Sequence, residues 1–559
     1  MILASFAEII SIGAVLPFLG VLTAPNRIFE HPAAQPLIQA LGLTEPNQLL
    51  LPLTIAFSLA AVLVGAMRLL LLYASSRLSY ATGADLSIGI YRRTLYQPYA
   101  VHVARNSSEI INGISSKAGG VTHIILMVLT LIGSSVVLIA ILIALLSVDP
   151  VVALVAFGGF GLIYALIIHI TRDRLLANSQ LIARESTKVI KSLQEGLGGI
   201  RDVLIDGSQT AYCEIYRKAD HPTRLAHGSI IFISSSPRYG IEALSMLLIA
   251  ALAYTLAQQP DGIAKAIPVL GALALGAQRF LPALQQAFAA WASIQGGLVS
   301  LQDTLELLDQ PLPAYADQPA PEPIPFHQEI RLNGISFRYG QQLPWVLERL
   351  DLSIAKGSRI GFIGTTGAGK STLLDIVMGL LQPTIGRLEI DGEPITKHNQ
   401  RAWQLHIAHV PQAIFLADSS IEENIAFGLP IEQIDHQRVR AVARQAQIAD
   451  IIETWPKEYQ TQIGERGIRL SGGQRQRIGI ARALYKRADV IIFDEATNAL
   501  DSETEQSVMQ AIESLGGDLT ILIIAHRLTT LKNCTQIVEL GKGGALRIGN
   551  YDEIVSHVE

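Results

Sequence analysis

Cysteine and charge are what this chain has least of. It holds 2 cysteines, Cys213 and Cys534, in 559 residues, which excludes the disulfide framework of a small secreted scaffold. Charged residues make up 16% against 50% hydrophobic residues, and the mean hydropathy is +0.36, too apolar for an ordinary soluble enzyme. Nor is there a basic excess: 43 Lys and Arg face 48 Asp and Glu, a net charge of −5, which argues against nucleic acid as a partner. The chain is too long for one domain, so a membrane-embedded half joined to a soluble half is expected.

The apolar residues collect in the N-terminal half. Runs at 1–22, 49–73, 124–146, 151–170, 241–257 and 267–292 have the length of membrane crossings, giving six spans. The first contains Glu8 and lacks both a charged n-region and a cleavage site, so it reads as a span and not as a signal peptide. Pro282 is expected to kink the last. Lys and Arg crowd the long segments 77–117 and 172–224 and spare the short ones 147–150 and 258–265. The long segments and both chain ends are therefore cytoplasmic. Turn signals at Gln97-Pro98 and within 196–207 interrupt those long segments. Between spans one and two, Leu37, Ile38, Leu41 and Leu43 recur at near-helical spacing, which fits an interfacial helix and a loop with core contacts equally.

Residues 1–308 thus form an α-helical transmembrane domain, and 309–328, proline-rich and aperiodic, an extended linker. Strand patterns alternate with helical ones over 329–559, as in an α/β domain with a largely parallel sheet. There Ile360-Gly361-Phe362-Ile363 feeds Gly364-Thr365-Thr366-Gly367-Ala368-Gly369-Lys370-Ser371-Thr372, a complete P-loop followed by an apolar helix. Its glycines let backbone N–H groups wrap the phosphates of ATP, Lys370 adds a point charge, and the Ser371 hydroxyl suits Mg²⁺. Further on, Ser471-Gly472-Gly473-Gln474 opens an Arg-rich helix, and Val490-Ile491-Ile492-Phe493 is a buried strand ending in Asp494 and Glu495. Adjacent carboxylates at a strand end suit two jobs in phosphoryl transfer: Asp494 holds Mg²⁺ and Glu495 polarises the attacking water.

Leu470-Ser471-Gly472-Gly473-Gln474 followed by that strand resembles the signature and Walker B motifs of ATP-binding cassette (ABC) ATPases. The resemblance implies further roles, position by position. Tyr339 takes the place of the aromatic that stacks on adenine. Gln412 stands where the Q-loop glutamine reaches Mg²⁺ and the lytic water, and His526 where the switch histidine holds the γ-phosphate. Ala499-Leu500-Asp501 matches the D-loop, with Asn498 where many relatives have serine. Gly464-Glu465-Arg466-Gly467 resembles an exporter-specific segment. Six spans ahead of such an ATPase resemble the ABC exporter (type IV) architecture, with short coupling helices in its cytoplasmic loops and an elbow helix before span one, so this chain reads as one with a truncated start. One membrane half and one ATPase make a half-transporter, and the family closes each P-loop on a partner's signature. A homodimer is expected, with both sites competent.

For the cargo, Arg68, Arg238 and Arg279 lie in or at the cytoplasmic ends of spans two, five and six, where buried charge is costly unless it faces a cavity or a partner. Guanidinium groups suit phosphate, although Arg238 also has Glu242 one turn on. Residues 4–18, Ser236-Pro237-Arg238-Tyr239 and Gln278-Arg279-Phe280-Leu281-Pro282 resemble bacterial lipid-linked oligosaccharide flippases. That implies an inner-membrane protein moving a polyprenyl-pyrophosphate glycan or a related anionic glycolipid. A general lipid or multidrug exporter is the alternative, and a nucleotide-gated channel a third reading.

Overall fold

The computed structural model describes residues 42–148, 150–257, 262–495, 502–513, 518–525, 528–541 and 544–555, with scattered positions between 21 and 39; the side chains of 255–279 lie outside it. The chain divides into two compact units, residues 1–97 with 101–313, and 98–100 with 314–559.

The first unit is helical. Its long helices are Leu50–Leu95, Ala118–Val148, Pro150–Gly198, Gln209–Ala257 and Gly262–Leu308. They contain the last five of the six apolar runs; the first run, Val21 apart, lies outside the described residues. A helix of 46 residues is roughly 70 Å long, over twice the hydrocarbon thickness, so it continues well past the bilayer. Gly262–Leu308 is a single helix that continues through Pro282. The turn signals act as read: short helices Tyr99–Ala104 and Ile200–Ile205 stand between the long ones, and Gly207 takes a left-handed φ of +63°. Leu59, Val62, Leu69 and Leu70 are exposed, an outward apolar surface that suits lipid.

Inside this unit Ile141, Tyr164, Leu175, Ile233, Phe280 and Phe288 form the core, with the Tyr164 and Phe288 rings 5.3 Å apart. Close approach rests on small residues. A Cβ added at Gly83 would fall 2.0 Å from Thr122 Oγ1 on the neighbouring helix. In the external segment, Ile38 is buried with Val21 and Leu49, and Phe29, Leu43 and Leu53 pack around them, so these residues cover their own chain.

The second unit has two sheets. β1 (Glu329–Phe337), β2 (Leu347–Ala355), β4 (Ile385–Ile390) and β5 (Glu393–Pro394) form an antiparallel sheet ordered β2-β1-β4-β5. β3 (Arg359–Gly364), β6 (Ile407–Val410), β7 (Val490–Asp494), β8 (Thr520–Ile524), β9 (Gln536–Gly541) and β10 (Gly544–Gly549) form the other, ordered β10-β9-β3-β8-β7-β6 and parallel except for β10. The largely parallel sheet matches the alternating pattern; the antiparallel one is an addition to it. One core cluster, with Phe362, Leu373, Trp403 and Ile492, lies between the sheets. The other, with Val410, Ile425, Val439, Ile478 and Phe493, lies between the parallel sheet and the helices that include Gly472–Tyr485.

Overpacking should expose the close helix contact. Gly83→Leu is expected to destabilise the detergent-solubilised protein by about 2 kcal/mol, whereas Gly65→Leu, at a glycine with nothing within 4 Å, should be neutral in the same thermal melt. Equal effects of the two would mean the helix pair does not depend on that glycine.

Candidate functional site

Parallel pairing brings the candidate residues to one edge. β3 lies beside β8, β8 beside β7 and β7 beside β6, in register from Ile360 opposite Leu522 to Val410 opposite Phe493. Strands running the same way end together, so the segments that follow leave from one side. Gly364 closes β3 and Asp494 closes β7, while Gln412 stands two residues past β6. His526 follows β8 in the chain but lies outside the described residues, as do Asn498 and Ala499-Leu500-Asp501.

The P-loop carries backbone that only glycine tolerates easily. At Gly364, φ is +144° and an added Cβ would sit 2.2 Å from the Leu540 carbonyl oxygen; at Gly369, φ is +90° beside Leu347 and Val346. Thr365, Thr366, Gly367 and Ala368 lie between them. Helix Lys370–Val377 starts directly after. Lys370 is buried and its Nζ donates to the carbonyls of Gly364 at 2.8 Å and Thr365 at 3.2 Å, which holds the ammonium over the loop. Tyr339 is half exposed, and its hydroxyl is 3.0 Å from Thr372 Oγ1 on the same helix.

Three carboxyl groups crowd the strand ends. Burial first, then the charge of Glu495, pushes the Asp494 carboxyl above the usual range, against a hydrogen bond from Ser371 and the charge of Lys370. Asp375, one turn after Ser371, is pushed to about 6 by burial and by the Asp494 charge. Glu495 itself has a left-handed φ of +52°, an uncommon conformation for a side chain of this size. Its backbone N–H donates to Ile524 O at 3.1 Å, and Gln412 Nε2 donates to its Oε2 at 2.7 Å. A hydroxyl, a carboxylate and an amide oxygen from Ser371, Asp494 and Gln412 are hard donors amid surplus negative charge, a set that fits a small divalent cation.

Ser471 caps the helix Gly472–Tyr485 through a reciprocal box: its Oγ accepts from Gln474 N at 3.2 Å, and Gln474 Oε1 accepts from Ser471 N at 2.8 Å. Gly472 and Gly473 form the first turn. This motif belongs to the core cluster of Leu470, and the P-loop to that of Ala368. Of the three arginines, Arg68 is exposed on Leu50–Leu95, and Arg238 donates from Nε to Glu242 Oε1 at 2.9 Å. Arg279 lies in Gly262–Leu308, with its side chain outside the described residues.

Sequence reasoning passed over three residues here. Arg482, on the signature helix, donates to the carbonyls of Asn424 at 2.8 Å and Phe415 at 2.9 Å and lies 4.5 Å over the Phe427 ring. Asn424, fully buried, accepts from Ala417 N at 2.9 Å and from Arg482 Nη2 at 3.2 Å. Together they tie the helix behind Ser471 to the segment that follows Gln412. Asp375 was legible only as a carboxylate in helical register with Ser371.

Asp375 gives a pH test. Because its folded value lies near 6 and the ordinary one at 3.8, the folded state keeps a proton that the unfolded chain releases between them, so stability falls as pH rises through that window. Asp375→Asn should therefore raise the Tm of nucleotide-free protein more at about pH 8 than at about pH 5. A gain of the same size at both would show that the carboxyl does not titrate there.

Two family models match the chain: ABC transporter transmembrane region over residues 3–259 and ABC transporter over 347–498. An ATP-dependent lipid A-core flippase of Cupriavidus metallidurans is 30% identical over 493 residues, covering 86% of this chain and 81% of the relative. One of Alkalilimnicola ehrlichii is 32% identical over 404 residues, covering 71% and 67%. Among solved structures, a bacterial Atm1-family ABC exporter with ATP bound superposes with a TM-score of 0.77 at 23% identity, over 98% of this chain and 96% of that one, a likeness of fold. The chain belongs to the ABC transporter family, with a helical transmembrane domain and an ABC ATPase domain in one polypeptide that couples ATP hydrolysis to transport.

Proposed function

We propose that this protein is an ATP-driven flippase of the bacterial inner membrane whose cargo is an anionic glycolipid of the polyprenyl-pyrophosphate-linked oligosaccharide type. Two identical chains form the working transporter, with their ATPase domains in the cytoplasm. The observation that carries the reading is relatedness through both halves of the chain to proteins named lipid A-core flippases, transporters of a lipid with a large glycan head. Arginines on three separate long helices add the charge an anionic head group requires. Because Arg238 is engaged by Glu242, Arg279 bears most of that assignment.

The nucleotide chemistry is assigned as follows. Tyr339 stacks on adenine, while the backbone of Gly364, Thr365, Thr366, Gly367, Ala368 and Gly369 and the side chains of Lys370 and Thr372 hold the phosphates. Ser371, Asp494 and Gln412 hold Mg²⁺, which when bound neutralises phosphate charge. Glu495 takes the proton of the attacking water as the bond to the γ-phosphorus forms, and His526 steadies the γ-phosphate. Ser471, Gly472, Gly473 and Gln474 complete the partner chain's site.

Glu495→Gln keeps the shape and removes the base. Turnover should fall by at least about 100-fold, with ATP retained in a closed dimer after gel filtration. Purified variant turning over near the wild-type rate would take Glu495 out of this role.

Arg279→Ala tests the cargo. Losing one charge-assisted phosphate contact costs on the order of 2 kcal/mol, so transport of a lipid-linked oligosaccharide and its stimulation of ATPase in proteoliposomes should drop about 30-fold. Basal ATPase should stay intact. Arg279→Lys should restore part, because a point charge lacks the forked geometry. Undiminished transport in well-folded Arg279→Ala would sink the head-group assignment, and stimulation by amphipathic drugs alone would favour a multidrug exporter.

A further inference from the structure

The segment 309–328 meets the ATPase unit through a histidine that the nucleotide chemistry does not use. The His406 ring is mostly buried, stacked 5.8 Å from Trp403 at 30° and edge-on to Phe326 at 6.3 Å. Its Nε2 lies 2.7 Å from the Ile324 carbonyl oxygen, and its Nδ1 meets the Asp489 carboxylate. Both partners are acceptors. A neutral imidazole has one N–H and one lone pair, so only the doubly protonated ring can donate to both. We propose that His406 is a charge-dependent latch: as imidazolium it clamps the proline-rich segment at Ile324 to Asp489 of the ATPase core, and loss of its proton releases that segment.

The neighbouring charges set the balance. Asp489 favours the imidazolium. Lys486 opposes it from the end of the signature helix, where its Nζ donates to Gln404 O at 2.8 Å and Ile407 O at 2.5 Å; burial and nearby Arg401 lower that ammonium. Arg401 lies 6.0 Å from the Tyr315 ring. Lys356 opposes it from the β2–β3 turn, 5.5 Å from the Phe326 ring and donating to Phe326 O at 3.0 Å. Arg438, Arg487 and Asp518 share an open hollow with Asp489. His327, exposed, is the other titrating group on the segment.

Beyond the latch the hold does not depend on His406. The Asp391 carboxylate accepts from the backbone N–H groups of His327, Gln328 and Glu329 at 2.5, 2.9 and 2.8 Å, and Lys356 N donates to Gln328 O at 2.7 Å. Those backbone bonds also hold the Asp391 carboxyl below its usual range, against its partial burial, so it stays ionised through neutrality. Deprotonation of His406 therefore frees the chain up to Phe326 and leaves β1 in place. The position at which the tether leaves the ATPase unit changes by a few residues with pH.

The test is amide hydrogen exchange of the full chain in nanodiscs, followed over peptides covering 320–329 and corrected for the intrinsic pH dependence of exchange. In the wild type, exchange should be about tenfold faster at about pH 8.5 than at about pH 6, and His327→Gln should behave the same. His406→Gln should exchange fast at both. Asp489→Asn should stay protected at both, because the amide N–H can donate to Nδ1 of a neutral ring while Nε2–H still serves Ile324. Wild-type exchange that does not change with pH overturns the latch, as does an Asp489→Asn variant that keeps the pH step. Should His406→Gln fail to fold, the comparison of wild type with Asp489→Asn still decides.

Discussion

Parallel strand pairing is the constraint from which the ATPase site follows. β9, β3, β8, β7 and β6 run in one direction, and their central members are near-continuous apolar runs because both faces are covered. A run such as Val490-Ile491-Ile492-Phe493 has no polar side chain with which to do chemistry. Function is pushed to the strand ends, where the chain turns and polar residues become affordable. Gly364, Asp494 and Gln412 occupy such ends at one edge, and a slip of one residue in β7 would turn Phe493 from one core cluster toward the other.

What could be read from the residues alone follows the same logic. The P-loop is legible because its chemistry is done by backbone, and backbone of that shape requires glycine at fixed offsets. The signature turn is legible because Ser471 and Gln474 form a capping box, a local device with a spacing of three. The antiparallel sheet escaped notice because β1, β2 and β4 are joined by bulged registers that break the strict alternation a strand reading depends on. Arg482 and Asn424 are 58 positions apart, and nothing local in either marks them as partners. The same holds for His406 with Ile324 and Asp489, which meet only when α and β elements pack.

In the membrane half, length and polarity did most of the work. Hydrocarbon thickness sets a minimum apolar run, and that rule found the spans but not the full helices, which continue far beyond the apolar stretch. Outside the hydrocarbon, helix ends are marked by conformation instead, at Pro98, Gly198 and Gly207. Close packing there is invisible to hydropathy. Gly83 and Gly297 read as poor helix residues, yet the helices they sit on approach to within contact of Thr122 and Ile124 because no side chain stands between them.

The strained carboxylate explains why a glutamine stands at position 412. A left-handed Glu495 costs on the order of 1 kcal/mol, and it is held by the Ile524 carbonyl on its backbone and by Gln412 on its side chain. The cluster already pushes up the Asp494 and Asp375 carboxyls, so an Asp or Glu at 412 would add repulsion where neutrality is needed. Asparagine would be one methylene short of the 2.7 Å contact unless the backbone moved. A cation such as lysine could pair with Glu495 but would repel a metal ion and offer no acceptor. The amide alone has a donor for Glu495 at one end and an oxygen for a hard cation at the other, so one side chain can engage both.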